Sequence, residues 1–163
     1  MPKQTFLRLD LARQQIKTAV TLFLGKDYLS AITLAGAASG ILTQLVLKAG
    51  KEPFVDYSRT FQSSRYGQAT PGRENYNRFI NDKFGVYVLR HHAANDPDTI
   101  ELNIGLQAEH ALSRAVVDYV ELRGQDEVFV QMFFKWLWVN RDGPKEMAEF
   151  EAEDKRFKKT RPQ

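Results

Sequence analysis

Cysteine is absent from the sequence, and histidine occurs only three times, as His91, His92 and His110. Without thiols the chain forms neither disulfides nor thiolate metal sites, which is typical of proteins from a reducing compartment. Two of the three histidines are adjacent, which leaves too few separate ligands for a structural zinc site. We therefore expect no metal site, no cofactor and a cytoplasmic location.

The net charge is also small, and nucleotide-binding motifs are absent from the sequence. The net charge of +3 is too small to indicate nucleic-acid binding by itself. The sequence contains no glycine-rich phosphate loop, no HExxH motif and no GxSxG nucleophile elbow. Charges at Lys3, Arg8, Asp10 and Arg13 leave no apolar segment for a signal peptide. Positive charge is concentrated in residues 155–161, which predicts either a solvated tail or a segment that contacts phosphates.

The clearest feature that is present is helical periodicity. Apolar residues recur at three- and four-residue spacing over residues 7–24, and further helices are predicted over 28–47, 54–62, 75–92, 106–123 and 126–140. Only residues 99–104 alternate between apolar and polar, which predicts a short extended segment there. We expect an all-α fold, a single helical bundle of about five helices over residues 1–143, followed by a charged tail over residues 144–163.

The helix predicted from Tyr28 to Leu47 carries no charge and contains the GxxxG spacing Gly36–Gly40. That pattern is typical either of a transmembrane helix or of the central helix of a soluble bundle. The polar residues within it and the amphipathic helix before it favour the bundle, so we expect no membrane association. Its small residues predict close approach of neighbouring helices.

The helix predicted over residues 126–140 is rich in aromatic residues, which lie on more than one of its faces. Such a helix either contacts a second subunit or packs deep in the core, and the sequence leaves both interpretations open.

Candidate functional residues are concentrated in the helix predicted over residues 75–92. At 100° per residue, His91 falls within the apolar stripe that Ile80 and Phe84 begin. A histidine in that position is either a hydrogen-bonded core residue or an acid, base or phosphate ligand in a cleft. The candidate catalytic residues are His91, Arg90 and Lys83. The candidate binding residues are Asn81, Tyr87 and His92, on the same helix as Asn77.

Three segments together resemble a family. ARQQIKTAVTLFLGKDYLSAITLAGAASGILTQLVLKAGKEP is similar to uncharacterised bacterial proteins with HEPN-like helical domains, which read G.DY.SA.TLAGAA..IL followed by GK.P. The similarity continues over residues 81–91, where such proteins read N..RN.LKH, and over residues 100–122. It covers residues 9–124 approximately. The resemblance implies a helical bundle that forms homodimers and, in the catalytic members, cleaves RNA in a cleft between subunits.

The sequence departs from the ribonuclease motif of that family, which is an arginine followed four to six residues later by a histidine. The corresponding positions before His91 are Phe84, Gly85 and Val86, and those before His92 and His110 carry no arginine either. Relatives also often have acidic residues where this chain has Ser39 and Gly40.

These departures favour a non-catalytic, homodimeric binding or interaction module. The alternative is an RNA-cleaving enzyme of a toxin or phage-defence system that uses His91 with Lys83 or Arg90, and its ligand would be RNA or a nucleotide. A third hypothesis is nucleic-acid binding through the basic tail, which predicts strongly salt-dependent affinity.

Overall fold

The computed structural model describes residues 1–67, 69–145, 147–148 and 152. These residues divide into two compact units, Met1–Gln125 and Asp126–Gln163. Every regular element in the described part is helical, so the predicted all-α bundle is confirmed. Residues 99–103 form no strand, and a helix begins directly after them. The basic run 155–161 lies outside the described residues.

Six main helices account for the fold. The first unit contains α1 (Arg8–Leu24), α2 (Tyr28–Lys48), α3 (Phe54–Tyr66), α4 (Arg73–Lys83) and α5 (Ile104–Arg123). The second unit contains α6 (Val128–Asn140). Helices α1, α2 and α5 pack against one another, while α3 packs against α4 and α5.

The core of the first unit follows from the apolar stripes of its long helices. Helix α1 buries five of the six residues whose spacing predicted an amphipathic helix, and the sixth, Leu9, is partly buried; the five are Ala12, Ile16, Ala19, Val20 and Phe23. Asp27 caps α2 by accepting a hydrogen bond from the Ser30 backbone N–H, at 3.2 Å. Helices α2 and α5 run in the same direction, because Tyr28 lies against Gly105 while Thr43 bonds to Asp118.

Helix α2 is the one helix in the described part of the chain that is long and apolar enough to cross a membrane. Nine of its residues, including Ile32, Leu42 and Val46, are buried within the protein. This burial agrees with the interpretation favoured by the sequence, that of the central helix of a bundle.

The two glycines of α2 differ in role. A Cβ on Gly36 would collide with the side chain of Val86, whereas one on Gly40 would meet nothing within 4 Å. Gly36 therefore permits close approach, but the chain that approaches it is the segment after α4 rather than a neighbouring helix.

The prediction of one helix over residues 75–92 is wrong at its C-terminal end. Helix α4 stops at Lys83, and Gly85 takes a left-handed conformation at φ 75°. The Tyr87 backbone N–H then donates to the Asn81 carbonyl at 3.1 Å, which reverses the chain. Phe84 and Val86 are buried in this turn. The apolar residues that suggested a continuing helix instead anchor a compact series of turns.

The second unit has apolar residues on two faces of α6. Phe129, Val130 and Phe133 are buried, whereas Met132 and Trp138 are about half exposed. Neither face is wholly polar, which agrees with the distribution of aromatic residues seen in the sequence.

Candidate functional site

The structure separates the predicted catalytic residues instead of gathering them on one helical face. Lys83 is the last residue of α4, and its Nζ lies 5.9 Å from the centre of the Phe79 ring. Arg90 and His91 follow in the turns, where both are exposed. The predicted position of His91 within an apolar stripe is therefore wrong, because the helix that would place it there ends eight residues earlier.

Tyr87 and His91 are brought together outside the helix. Their rings stack with centroids 4.5 Å apart, and the His91 backbone N–H donates to the Tyr87 carbonyl at 3.1 Å. Tyr87 is about half exposed and His92 is exposed. These side chains form a surface feature with an accessible aromatic ring. Their roles as candidate catalytic and binding residues stay predictions.

The third histidine lies elsewhere. His110 is partly buried on α5, and its ring lies 5.3 Å from that of Phe84, centroid to centroid. It therefore helps to hold the turns that follow α4 against α5.

Asn81 contacts a residue that sequence reasoning did not single out. The guanidinium of Arg114, on α5, donates from Nη1 to Asn81 Oδ1 at 2.9 Å and from Nη2 to Asn77 Oδ1 at 2.5 Å. The same Nη2 lies 3.4 Å from Thr43 Oγ1 on α2. One arginine thus joins α5 to α4 and to α2.

Asp118, one turn after Arg114, completes the network. Its Oδ2 accepts from Thr43 Oγ1 at 3.3 Å, and its Oδ1 accepts from the Phe54 backbone N–H at 2.7 Å. Because Phe54 begins α3, this carboxylate satisfies one of the N–H groups left unbonded at a helix start. We call Arg114 and Asp118, with Thr43, Asn77 and Asn81, the buried polar network.

Burial dominates the electrostatics of this network. Arg114 is 3% exposed and Asp118 is 0% exposed. Burial raises the pKa of Asp118, and the Phe54 N–H, Arg114 and Thr43 oppose that shift only in part. Burial also lowers the pKa of Arg114, against the attraction of Asp118. For each group, the free-energy cost of desolvation therefore exceeds the stabilisation that its partners supply.

The network is suited to joining helices rather than to turning over a substrate. Both terminal nitrogens of Arg114, Nη1 and Nη2, and both carboxylate oxygens of Asp118 are hydrogen-bonded to other groups of the protein. Four buried side-chain atoms among the described residues nevertheless lack a hydrogen-bond partner, and Arg114 Nε and Ser39 Oγ are two of them. The same part of the chain holds no group of three or more histidine or acidic side chains that could bind a metal ion.

Sequence reasoning missed Arg114 and Asp118 because opposite charges four residues apart on a helix normally form an exposed pair. The signal that could have identified them is their setting. The residues around them are almost all apolar: Ala111, Leu112, Ala115, Val116 and Tyr119. A helix with apolar residues on every side has no solvent face on which to place such a pair.

Comparison of the chain with protein-family models, with curated proteins and with solved structures finds no significant match.

Proposed function

We propose that this chain is a non-catalytic helical binding module that acts as a homodimer in the cytoplasm and belongs among HEPN-like bundles. The observation that carries the proposal is the exposed apolar face of α6. Val128 is 70% exposed, Met132 48% and Val139 69%. At 100° per residue these three side chains lie within about 40° of one another, so they form one continuous strip. Exposed apolar patches of this kind mark sites of protein association.

A second copy of the chain is the partner that we favour for this strip. The strip contains a single charged residue, Lys135, and Trp138 borders it. A two-fold axis through the strip would place apolar side chains of one copy against the same residues of the other, as symmetric dimers do. Tryptophan and methionine are enriched in the buried centres of such interfaces.

The placement of the histidines supports the non-catalytic part of the proposal. Lys83 and His91 do not share a helix, and Arg114 is bonded within the buried polar network. Cleavage of RNA without a metal requires a base near the 2′-hydroxyl and a positive charge near the phosphate. Arg114, which is buried, is thus already hydrogen-bonded to asparagine side chains and is not available to a phosphate.

The test compares two substitutions that add the same charge at different places. Met132→Glu puts a carboxylate in the centre of the α6 strip, whereas Gln44→Glu puts one on the exposed side of α2. Light scattering coupled to size-exclusion chromatography should show dimers for the wild type and for Gln44→Glu, and monomers for Met132→Glu. A dimeric Met132→Glu protein would contradict the assignment of the interface to α6.

A second candidate function is RNA cleavage centred on His91. The observation that favours it is the exposed Tyr87–His91 stack beside Arg90, since an accessible aromatic ring next to a cation suits the binding of a nucleotide base. Incubation of the wild type with single-stranded RNA in the presence of a chelator tests it. Cleavage that His91→Ala abolishes and His92→Ala retains would establish this candidate and refute the non-catalytic proposal.

The basic tail carries the third candidate, nucleic-acid binding, and its residues 155–161 lie outside the described part. Removal of residues 155–163 should abolish salt-dependent binding if the tail is responsible.

A further inference from the structure

The α3–α4 hairpin, whose described residues are 54–67 and 69–83, is held together internally by side chains of its two helices. The Arg73 guanidinium, at the start of α4, donates from Nε to Asp56 Oδ1 on α3 at 2.8 Å. Ser58 Oγ and Tyr76 Oη form a second link at 2.8 Å. Both links lie wholly within the hairpin, so they persist wherever the hairpin lies.

The attachment of the hairpin to the α1–α2–α5 bundle has a different character. In the middle of α5, Arg114 holds α4 through Asn77 and Asn81, and Asp118 holds the first residue of α3. The two anchoring residues lie one helical turn apart. A pair of side chains on one helix therefore grips both helices of the hairpin at once.

Not every hydrogen-bonding group in this attachment has a partner. Arg114 Nε is buried without a hydrogen-bond partner. A buried donor left unpaired costs free energy that is recovered when the group reaches water. The two buried charges carry the same kind of cost, because the desolvation of each outweighs the attraction of its partner. Release of the hairpin would remove these penalties while keeping its internal links.

We propose that Arg114 and Asp118 form a latch, and that the α3–α4 hairpin opens from the α1–α2–α5 bundle as one body when the latch is released. Opening separates Asn77 and Asn81 of α4 from Arg114, and it uncovers the Arg114 and Thr43 side chains that the hairpin covers. The hairpin is thus a cooperative unit of lower stability than the bundle it covers. The proposal goes beyond homodimer formation and does not depend on it.

Native-state hydrogen exchange of the full chain tests the latch without any substitution. Protected amides in α3 and α4 should exchange with one shared equilibrium constant for opening, and low concentrations of denaturant should raise it equally for both helices. This constant should be much larger than the opening constant of the α2 amides. Separate openings for α3 and α4 would overturn the proposal. So would exchange of both helices only through the global unfolding that exposes α2.

A matched pair of asparagine substitutions tests which residues form the latch. Asn77→Ala combined with Asn81→Ala removes the hairpin side of the Arg114 contacts, while Asn75→Ala changes an exposed asparagine on the same helix. We expect the double variant to raise exchange in both α3 and α4 by more than about tenfold, because each lost bond involves a charged group. Exchange in α2 should stay unchanged, and Asn75→Ala should behave as the wild type.

An increase confined to α4, an equal increase in α2, or no increase at all would each overturn the latch. The first outcome would mean that the hairpin is not one body, and the second that the network belongs to the global core.

Discussion

Removing the two charges of the Arg114–Asp118 pair one at a time, and then together, is the perturbation that most sharply probes the buried polar network. Arg114→Met keeps an unbranched apolar side chain in place of the arginine stem and removes the charge. Asp118→Asn removes the other charge but keeps an oxygen that can accept the Phe54 N–H, which Asp118 now does at 2.7 Å. The double variant Arg114→Met with Asp118→Asn removes both charges.

The expected magnitudes follow from exposure. An exposed ion pair contributes about 0–1 kcal/mol to stability. Removal of one partner from a buried pair costs about 3–5 kcal/mol, because the remaining charge is left uncompensated. Arg114 and Asp118 are 3% and 0% exposed, share Thr43 Oγ1 as a hydrogen-bond partner and attract each other, so the second figure is the better guide. The double variant leaves no buried charge, so its cost should be well below the sum of the two single costs.

Urea unfolding of the four proteins, followed by circular dichroism, measures these differences. We expect the two single costs to sum to more than the cost of the double variant, by about 2–3 kcal/mol of coupling. If a single variant is too unstable to give a folded baseline, all four proteins are compared in the same concentration of sucrose, which favours the folded state. Additive costs, equal within about 0.5 kcal/mol, would refute the reasoning that each charge depends on the other.

Three further predictions concern the glycines of α2, Gly85 and the pH dependence that Asp118 introduces. Gly36→Ala should lower the free energy of unfolding by about 1–3 kcal/mol, because the new methyl group overlaps Val86. Gly40→Ala, where the methyl group meets nothing, should be neutral or stabilise by up to about 1 kcal/mol. Thermal melts compare the two variants. Gly85→Ala should cost about 1–2 kcal/mol in the same melts, since φ is 75° there; an unchanged melting temperature would contradict the left-handed turn. The raised pKa of Asp118 means that the folded state holds its proton more tightly than the unfolded chain, so the stability from this carboxyl is present at low pH and is lost as pH rises from 3.8 through the raised value. Urea melts across this pH window should show stability falling in the wild type relative to Asp118→Asn, and parallel profiles would contradict the raised pKa.

The long helices were predictable because their patterns are local. Helix α1 buries residues that its spacing placed on one face, and α2 begins directly after Asp27, whose side chain caps it. A periodic stripe suffices to define α1, and a capping residue also marks the start of α2.

The end of α4 was not predictable from periodicity alone. Phe84 and Val86 are apolar at positions that a helix would also bury, so the pattern continues across a break in the backbone. The decisive residue is Gly85, whose left-handed conformation depends on the packing of its neighbours against α2 and α5. The candidate site changed with it, because the faces assigned to Lys83 and His91 assumed one continuous helix.

The buried polar network could not be predicted from the sequence, for a different reason. Arg114 and Asp118 are recognisable as a helical pair, but their partners come from Thr43 on α2, from Phe54 at the start of α3, and from α4. These contacts depend on tertiary packing, which a pattern along one helix does not contain. Asn81 was singled out as a candidate binding residue, and its contact with Arg114 gives it a structural role that its position alone did not reveal.

The state of association is the central claim of the proposed function, and sedimentation velocity of the wild-type chain over a hundredfold range of concentration tests it most directly. The exposed strip of Val128, Met132 and Val139 leads us to expect a species of twice the 18.7 kDa of one chain, which dissociates only on dilution. A single species of 18.7 kDa at every concentration would contradict the account, since the apolar face of α6 would then have no second copy to cover it.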